Sequence, residues 1–356
     1  TLGIFIFLQS LQLPLPFPYL YCPISSLLIS FIVNFERLIY ATGEFTAKRI
    51  IRSGQGLKNL KKVEKYMRQI AFYGKGGVGK STISSNIAAA LVERGFTVIM
   101  IGCDPKHDCT RNLRGGVEIP TILDTSRDKG IEQLGLEGLL KEKKISLEEI
   151  IYKGYKGVYC AECGGPRPGV GCAGRGVIVA VDLLRRLNAF GALKPDVVIY
   201  DVPGDVVCGG FAMPLRKGLA DVVYIVTSAD YLALYAANNI CKGISEFATT
   251  GGPPLGGIVY NVRGMLDDAT VVHDFAEGVC SHVIGRIPNA HQIAEAEIEG
   301  KTVVEYDPTS GIADLFRELA LKIYTNTQTS IPEPLSLKMM IEIGQEIRKR
   351  TEERYK

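Results

Sequence analysis

Gly74-Lys75-Gly76-Gly77-Val78-Gly79-Lys80-Ser81-Thr82 has the residue types and spacing of a loop that holds phosphate. Glycines there let backbone N–H groups close around phosphate oxygens, and a helix N-terminus directly behind adds a favourable field. In such a loop Lys80 reaches the β- and γ-phosphates and Ser81 ligates magnesium, with Thr82 beside it. The bare pattern can arise by chance. Here an apolar run leads into it and helical spacing leads out of it, which is the context the chemistry requires.

Two further runs bring carboxylates. Cys103-Asp104-Pro105-Lys106-His107-Asp108 follows one apolar run, and Asp201-Val202-Pro203-Gly204-Asp205 follows another. Phosphate-loop ATPases keep magnesium-side and γ-phosphate-sensing acids at such strand ends. The expectation is Asp201 on the magnesium side, Asp104 orienting the attacking water, and Asp108 as a magnesium-linked switch carboxylate. Asp205 closes the second run and is counted with them. A plain turn aspartate explains any one of these, but not comfortably all.

Two cysteines sit in glycine-rich turns: Gly171-Cys172-Ala173-Gly174-Arg175-Gly176 and Val207-Cys208-Gly209-Gly210. Glycines there let backbone N–H groups point at inorganic sulfur and stabilise a reduced, negative cluster. A [4Fe–4S] cluster commonly takes four thiolates, so a pair per chain implies a symmetric dimer with one cluster on its two-fold axis. The chain has nine cysteines, an odd number without a signal-peptide pattern, which argues against a disulfide framework. Cys160-Ala161-Glu162-Cys163 has a spacing that can ligate metal or form a redox pair, and is read as structural.

The elements that must position these groups alternate. Apolar runs at 69–73, 97–102, 197–201, 222–227, 257–261 and 283–287 read as buried strands, with a helix at 81–94 and others between the later runs. Interleaved strands and helices imply an α/β fold with a doubly wound, mostly parallel sheet of the phosphate-loop NTPase type, in a single domain. In such sheets ligands bind beyond the carboxyl ends of the strands, where the motifs fall. Segment 132–157 is charged and is expected to be helical and outside the sheet core. The composition, 46% hydrophobic and 22% charged, suits a globular chain with a sizeable core, and a net charge of +3 gives no reason to expect nucleic acid. Residues 1–66 are apolar but broken by Pro14, Pro16, Pro18 and Pro23, then basic. They are expected to be a non-native or disordered extension, with the natural start near Met67; a membrane anchor or targeting segment is the rival reading. Residues 67–325 form the expected ATPase and iron–sulfur domain, and 326–356 a tail with a solvated final helix.

The second lysine of the loop, Lys75, resembles the deviant phosphate loop of the nitrogenase iron-protein, Min and Par ATPases, where it reaches the nucleotide of the opposite subunit. From 67 to about 310 the chain resembles the nitrogenase iron protein (dinitrogenase reductase) family, nitrogenase-like reductases included. The likeness is carried by 73–81, 102–106, 164–177, 200–202, 204–214, 235–239 and 305–308. It implies an ATP-hydrolysing electron donor in the cytoplasm, a homodimer with ATP, Mg2+ and one [4Fe–4S] cluster. It also implies a metallocluster-bearing catalytic partner, ferredoxin or flavodoxin as reductant, and no membrane contact. Carried over, Cys172 and Cys208 are the cluster ligands, Arg175 lies on the docking face and is a modification target in some members, and Lys106, Asn261 and Glu297 match nucleotide-side positions. The chain departs from the family where Pro203 replaces leucine, where Cys109 replaces serine, and at 289–295, which matches poorly. Reductases of nickel-tetrapyrrole (coenzyme F430) synthesis and of methylthio-alkanes remain alternatives. A cluster-free positioning ATPase is the alternative of another class, and it has no use for Cys172 and Cys208.

Overall fold

Strand β1 (Arg68–Tyr73) shows how the sheet is built. Ile70 and Phe72 face one core cluster, Ala71 and Tyr73 the other, and all four are fully buried. Side chains alternate across a strand, so a run apolar at every position needs cover on both faces. The computed structural model describes residues 67–142, 144–165, 173–204, 209–263 and 268–354. All lie within one compact unit, Lys65–Lys356.

The remaining strands are β2 (Val98–Gly102), β3 (Tyr152–Lys153), β4 (Tyr159–Glu162), β5 (Val197–Asp201), β6 (Val222–Thr227), β7 (Leu255–Asn261) and β8 (Val283–Ile287). They form an eight-stranded sheet in the order β3-β4-β2-β5-β1-β6-β7-β8. Every pairing is parallel except β3 with β4. From β1 the chain passes to β2 on one side, and after β5 it crosses to β6 on the other side of β1, so a crevice opens at the carboxyl end of β1.

The helices run α1 (Lys80–Glu93), α2 (Ile122–Asp128), α3 (Ile131–Lys141), α4 (Ala173–Arg186) and α5 (Ala189–Leu193) in the first half. The second half adds α6 (Tyr231–Ala248), α7 (Ala269–Gly278), α8 (His291–Ile298), α9 (Val303–Tyr306), α10 (Gly311–Thr325) and α11 (Leu337–Arg354). Helix α1 is rich in alanine and buried nearly all round, which lets it lie between the sheet and α10. It ends at Gly95, whose φ of +87° turns the chain back while Phe96 N–H bonds to Leu91 O at 3.2 Å. Val181 and Leu184 of α4, Leu234 and Ile244 of α6 and Phe275 of α7 cover the opposite face.

The sequence expectation for 132–157 needs correction. A helix does run to Lys141, but β3 follows at the sheet edge, and Leu139, Ile145 and Ile150 are buried in the core. A two-residue strand is too short to show a period in sequence. The final helix is not simply solvated either. Met340 is buried, Gly344 lies against the Tyr231 ring, and Leu335 N–H bonds to Asn238 Oδ1 at 2.7 Å.

Candidate functional site

The phosphate loop joins β1 to α1 at that crevice. Gly77 and Gly79 hold φ of +79° and +88°, the left-handed region where a side chain is strained. A Cβ on Gly79 would also fall 2.2 Å from Asn261 Nδ2. Asn261, at the end of β7, donates from Nδ2 to Val78 O at 2.8 Å, so it braces the loop from behind while the Val78 side chain packs into the core. A cavity of ≈ 390 Å³ opens above.

Most sequence-derived candidates line it. Gly74, Lys75, Gly76, Gly77 and Gly79 form its floor, with Lys80, Ser81 and Thr82 from the first turn of α1. Asp104, Lys106 and Asp108 enter from the segment after β2, Pro203 from after β5, and Glu297 from α8. Asp104 holds that segment in a turn, its Oδ1 accepting from Lys106 N–H at 3.0 Å. Thr82 Oγ1 donates to Glu297 Oε1, and Arg111 Nη1 donates to Glu297 O at 3.3 Å. Lys75 is exposed and borders a second, smaller cavity with Ser228, Asp230 and Arg263.

Asp201 does not line the cavity. It is fully buried behind Lys80, with Oδ1 accepting from Lys80 Nζ and Oδ2 accepting from Ser84 Oγ at 3.2 Å. Burial alone would push the Lys80 pKa down, yet the adjoining Asp201 carboxylate outweighs it, and the ammonium is held charged well above the ordinary lysine value.

Sequence reasoning missed Arg111, Asn112 and Arg263, which also line the cavity. The signal for Arg263 was present, since it follows the end of a parallel strand. Glu162 was missed as well. This acid ends β4, is fully buried, and takes both the N–H and the Oγ1 of Thr110 on Oε1, each at 2.7 Å.

Cys172, Cys208 and Asp205 lie outside the described residues. Their described neighbours bear on a cluster. Gly174 and Gly210, each two positions after one of these cysteines, meet backbone to backbone; a Cβ on Gly210 would fall 1.7 Å from Gly174 O. Arg175 is exposed on the first turn of α4. Among the described cysteines, Cys103, Cys109, Cys160, Cys163 and Cys241 are buried and only Cys280 is exposed. Burial pushes the Cys160 and Cys241 thiols up to about 12, where they are poor ligands and nucleophiles. Cys160 and Cys163 pack on opposite faces of the sheet, so their CxxC spacing makes no pair. Among the described residues no group of three or more His, Cys, Asp or Glu could hold a metal ion. No described helix is long and apolar enough to cross a membrane.

Comparison with known proteins agrees with this geometry. Residues 68–349 match the family described as 4Fe-4S iron sulfur cluster binding proteins, NifH/frxC family. The chain is 59% identical over 284 residues to nitrogenase iron protein 2 of Methanothermococcus thermolithotrophicus, covering 80% of this chain and 97% of that protein. It is 53% identical over 289 residues to the nitrogenase iron protein of Methanococcus voltae, covering 81% and 100%. The cell division ATPase MinD of Pyrococcus furiosus superposes with a TM-score of 0.54 at 20% identity, over 72% of this chain and 98% of that one. A ParA family ATPase from Chlorobium tepidum gives 0.53 at 19%, over 72% and 99%. Those two likenesses speak to the fold alone.

Proposed function

The chain belongs to the NifH/frxC family of 4Fe-4S iron sulfur cluster binding proteins, and from that premise we propose that it is the ATP-dependent electron donor of a nitrogenase or nitrogenase-like complex. Relatives at 59% and 53% identity make it a nitrogenase-reductase-type protein. The finer reading is a homodimer that passes low-potential electrons to a metallocluster-bearing catalytic partner, with ferredoxin or flavodoxin as reductant.

The observation that carries this reading is the buried ion pair between Lys80 and Asp201. The loop amides of 74–80 cradle phosphate oxygens, and Ser81 meets magnesium. An arriving γ-phosphate competes with Asp201 for the Lys80 ammonium. Asp201 then becomes free to turn toward the magnesium side, and it opens the run 201–208 that ends at Cys208. Asp104 would orient the attacking water, Asp108 would serve as a carboxylate linked to bound magnesium, and Lys75 would reach across to the nucleotide of the second subunit. Lys106, Asn261 and Glu297 serve the nucleotide side, Asn261 through its hold on Val78. Hydrolysis returns Lys80 to Asp201. Nucleotide state and the position of one cysteine arm are thereby tied through a short segment.

The donor set fits a cluster. With the five buried thiols and exposed Cys280 set aside, Cys22, Cys172 and Cys208 remain, and the glycines that follow the last two converge at Gly174 and Gly210. Cys172 and Cys208 of both subunits would hold one [4Fe–4S] centre, which when bound supplies one-electron redox chemistry. Arg175, exposed beside it, is suited to the docking face.

The test is iron content and nucleotide binding in anaerobically purified protein. About four irons per dimer are expected from this ligand set. Lys80→Ala should lose ATP-dependent electron transfer and keep its iron, whereas Cys208→Ser should lose iron and keep nucleotide binding. A Cys208→Ser protein with a full, normal cluster would overturn the ligand assignment.

A further inference from the structure

Glu162 is a buried acid that the nucleotide chemistry leaves without a task. Glu162 Oε1 takes two hydrogen bonds from a single residue, Thr110, at 2.7 Å each. Its Oε2 is buried and has no hydrogen-bond partner among the described residues. Glu162 lies in register with Gly102 of β2, and Gly102 lies in register with Asp201 of β5. The carboxyl folds over Gly102: a Cβ there would fall 1.9 Å from Oε2 and 2.8 Å from Cys109 Cβ. Glycine at 102 is therefore what admits the carboxyl to this place.

We propose that Glu162 is a positioning residue for the magnesium side of the nucleotide site, acting through Thr110 on Asp108 and Cys109. The proposal rests on the nucleotide-binding reading above. Asp108 and Cys109 line the cavity, as do Arg111 and Asn112 on the other side of Thr110. Thr110 itself is buried and points away from the cavity, to Glu162. Holding both its N–H and its hydroxyl on one oxygen removes the freedom of a loop residue at the centre of a cavity wall. Filling this place with a carboxyl that leaves one oxygen unbonded is costly in general, so packing alone is a poor account of it. A residue that merely filled space there would be apolar.

Binding of Mg-ATP and of ATP in excess chelator, measured on the full-length anaerobic dimer, tests this. Glu162→Ala should weaken Mg-ATP by about tenfold or more, as loss of hydrogen bonds to a buried carboxyl would. Magnesium-free ATP should weaken far less, because the phosphate loop is untouched. Glu162→Gln keeps an oxygen for Thr110 and should restore wild-type affinity. Thr110→Val, which removes the hydroxyl bond alone, should move Mg-ATP in the same direction by less and serves if Glu162→Ala does not fold. Unchanged Mg-ATP affinity in Glu162→Ala and Thr110→Val overturns the proposal. So does equal weakening of both nucleotide forms with a lowered Tm and no rescue by glutamine, which marks a structural role. Wild-type protein that binds no Mg-ATP would instead fault the nucleotide reading itself.

Discussion

Lys80 and Asp201 hold each other in a place where neither charge is tolerable alone. Their side chains are 7% and 0% exposed. Removing one partner of a buried pair typically costs about 3–5 kcal/mol, because the remaining charge is left uncompensated. Asp201→Asn should therefore lower the Tm of nucleotide-free protein sharply. Mg-ATP offers Lys80 a new anion, so thermal melts with and without nucleotide should show a larger ATP-induced rise in the variant than in wild type. Equal rises would mean that Lys80 does not meet phosphate. Glu162 adds a dependence on pH. Burial first, then the Asp201 and Asp108 charges, push its carboxyl up to about 8 against the opposing Thr110 bonds. The acid binds its proton more tightly folded than unfolded, so its contribution is fully present below about pH 4.5 and is lost as pH rises through about 8. Glu162→Gln does not titrate. Its stability, followed by urea denaturation from pH 5 to 8, should fall less steeply than wild type, by up to a few kcal/mol as an order of magnitude.

Elements here act through places where a backbone must pass close. The turn of the phosphate loop requires Gly79 at φ +88°, with Asn261 Nδ2 only 2.2 Å from where a Cβ would stand. Gly79→Ala must strain the loop or push Asn261 off Val78, and ATP binding should fall severely while the fold persists. Gly210 is the counterpart beside the proposed cluster, since a Cβ would sit 1.7 Å from Gly174 O. Gly210→Ala should force Gly210 away from Gly174 at the start of α4, lowering iron content while nucleotide binding stays close to wild type. Iron at the wild-type level in that variant would show that the convergence of Gly174 and Gly210 does not matter for a cluster. Helix α11 carries a packing test. Met340 is 1% exposed, so Met340→Ala should cost about 2–4 kcal/mol in chemical denaturation.

At the scale of the whole molecule, the proposed reading assigns each chain two cluster cysteines and a nucleotide cavity, so the proposed redox centre needs two chains. Mass measurement under non-denaturing anaerobic conditions should find a dimer that retains iron, and iron removal by chelation should loosen it. The segment 1–66 lies outside the described residues. A version beginning at Met67 should bind ATP and iron like the full chain, and loss of either would assign the segment a role. The sheet unites these parts. Because β1 lies between β5 and β6, the loops after β1, β2 and β5 open into one crevice.

The phosphate loop and the acids that follow β2 were legible in the residues alone, because each depends on local chemistry: glycine conformations, a lysine at fixed spacing, apolar runs that stop at charged loops; Cys172 and Cys208 lie outside the described residues. The longer strands were legible for the same reason, and Val197–Asp201, Val222–Thr227 and Val283–Ile287 match their sequence bounds, although the last, expected to be buried, is an edge strand in which only Ile287 is buried. Short β3 and β4 were not, since two or four residues carry no period. Pairings between distant strands were beyond local pattern altogether. Only the assembled sheet sets Asp201 behind Lys80 rather than in the cavity, sends Cys160 and Cys163 to opposite faces, and brings Glu162 onto Thr110. Local residue chemistry says which groups can react. Burial and strand register, which depend on residues far apart in the chain, decide which of them meet.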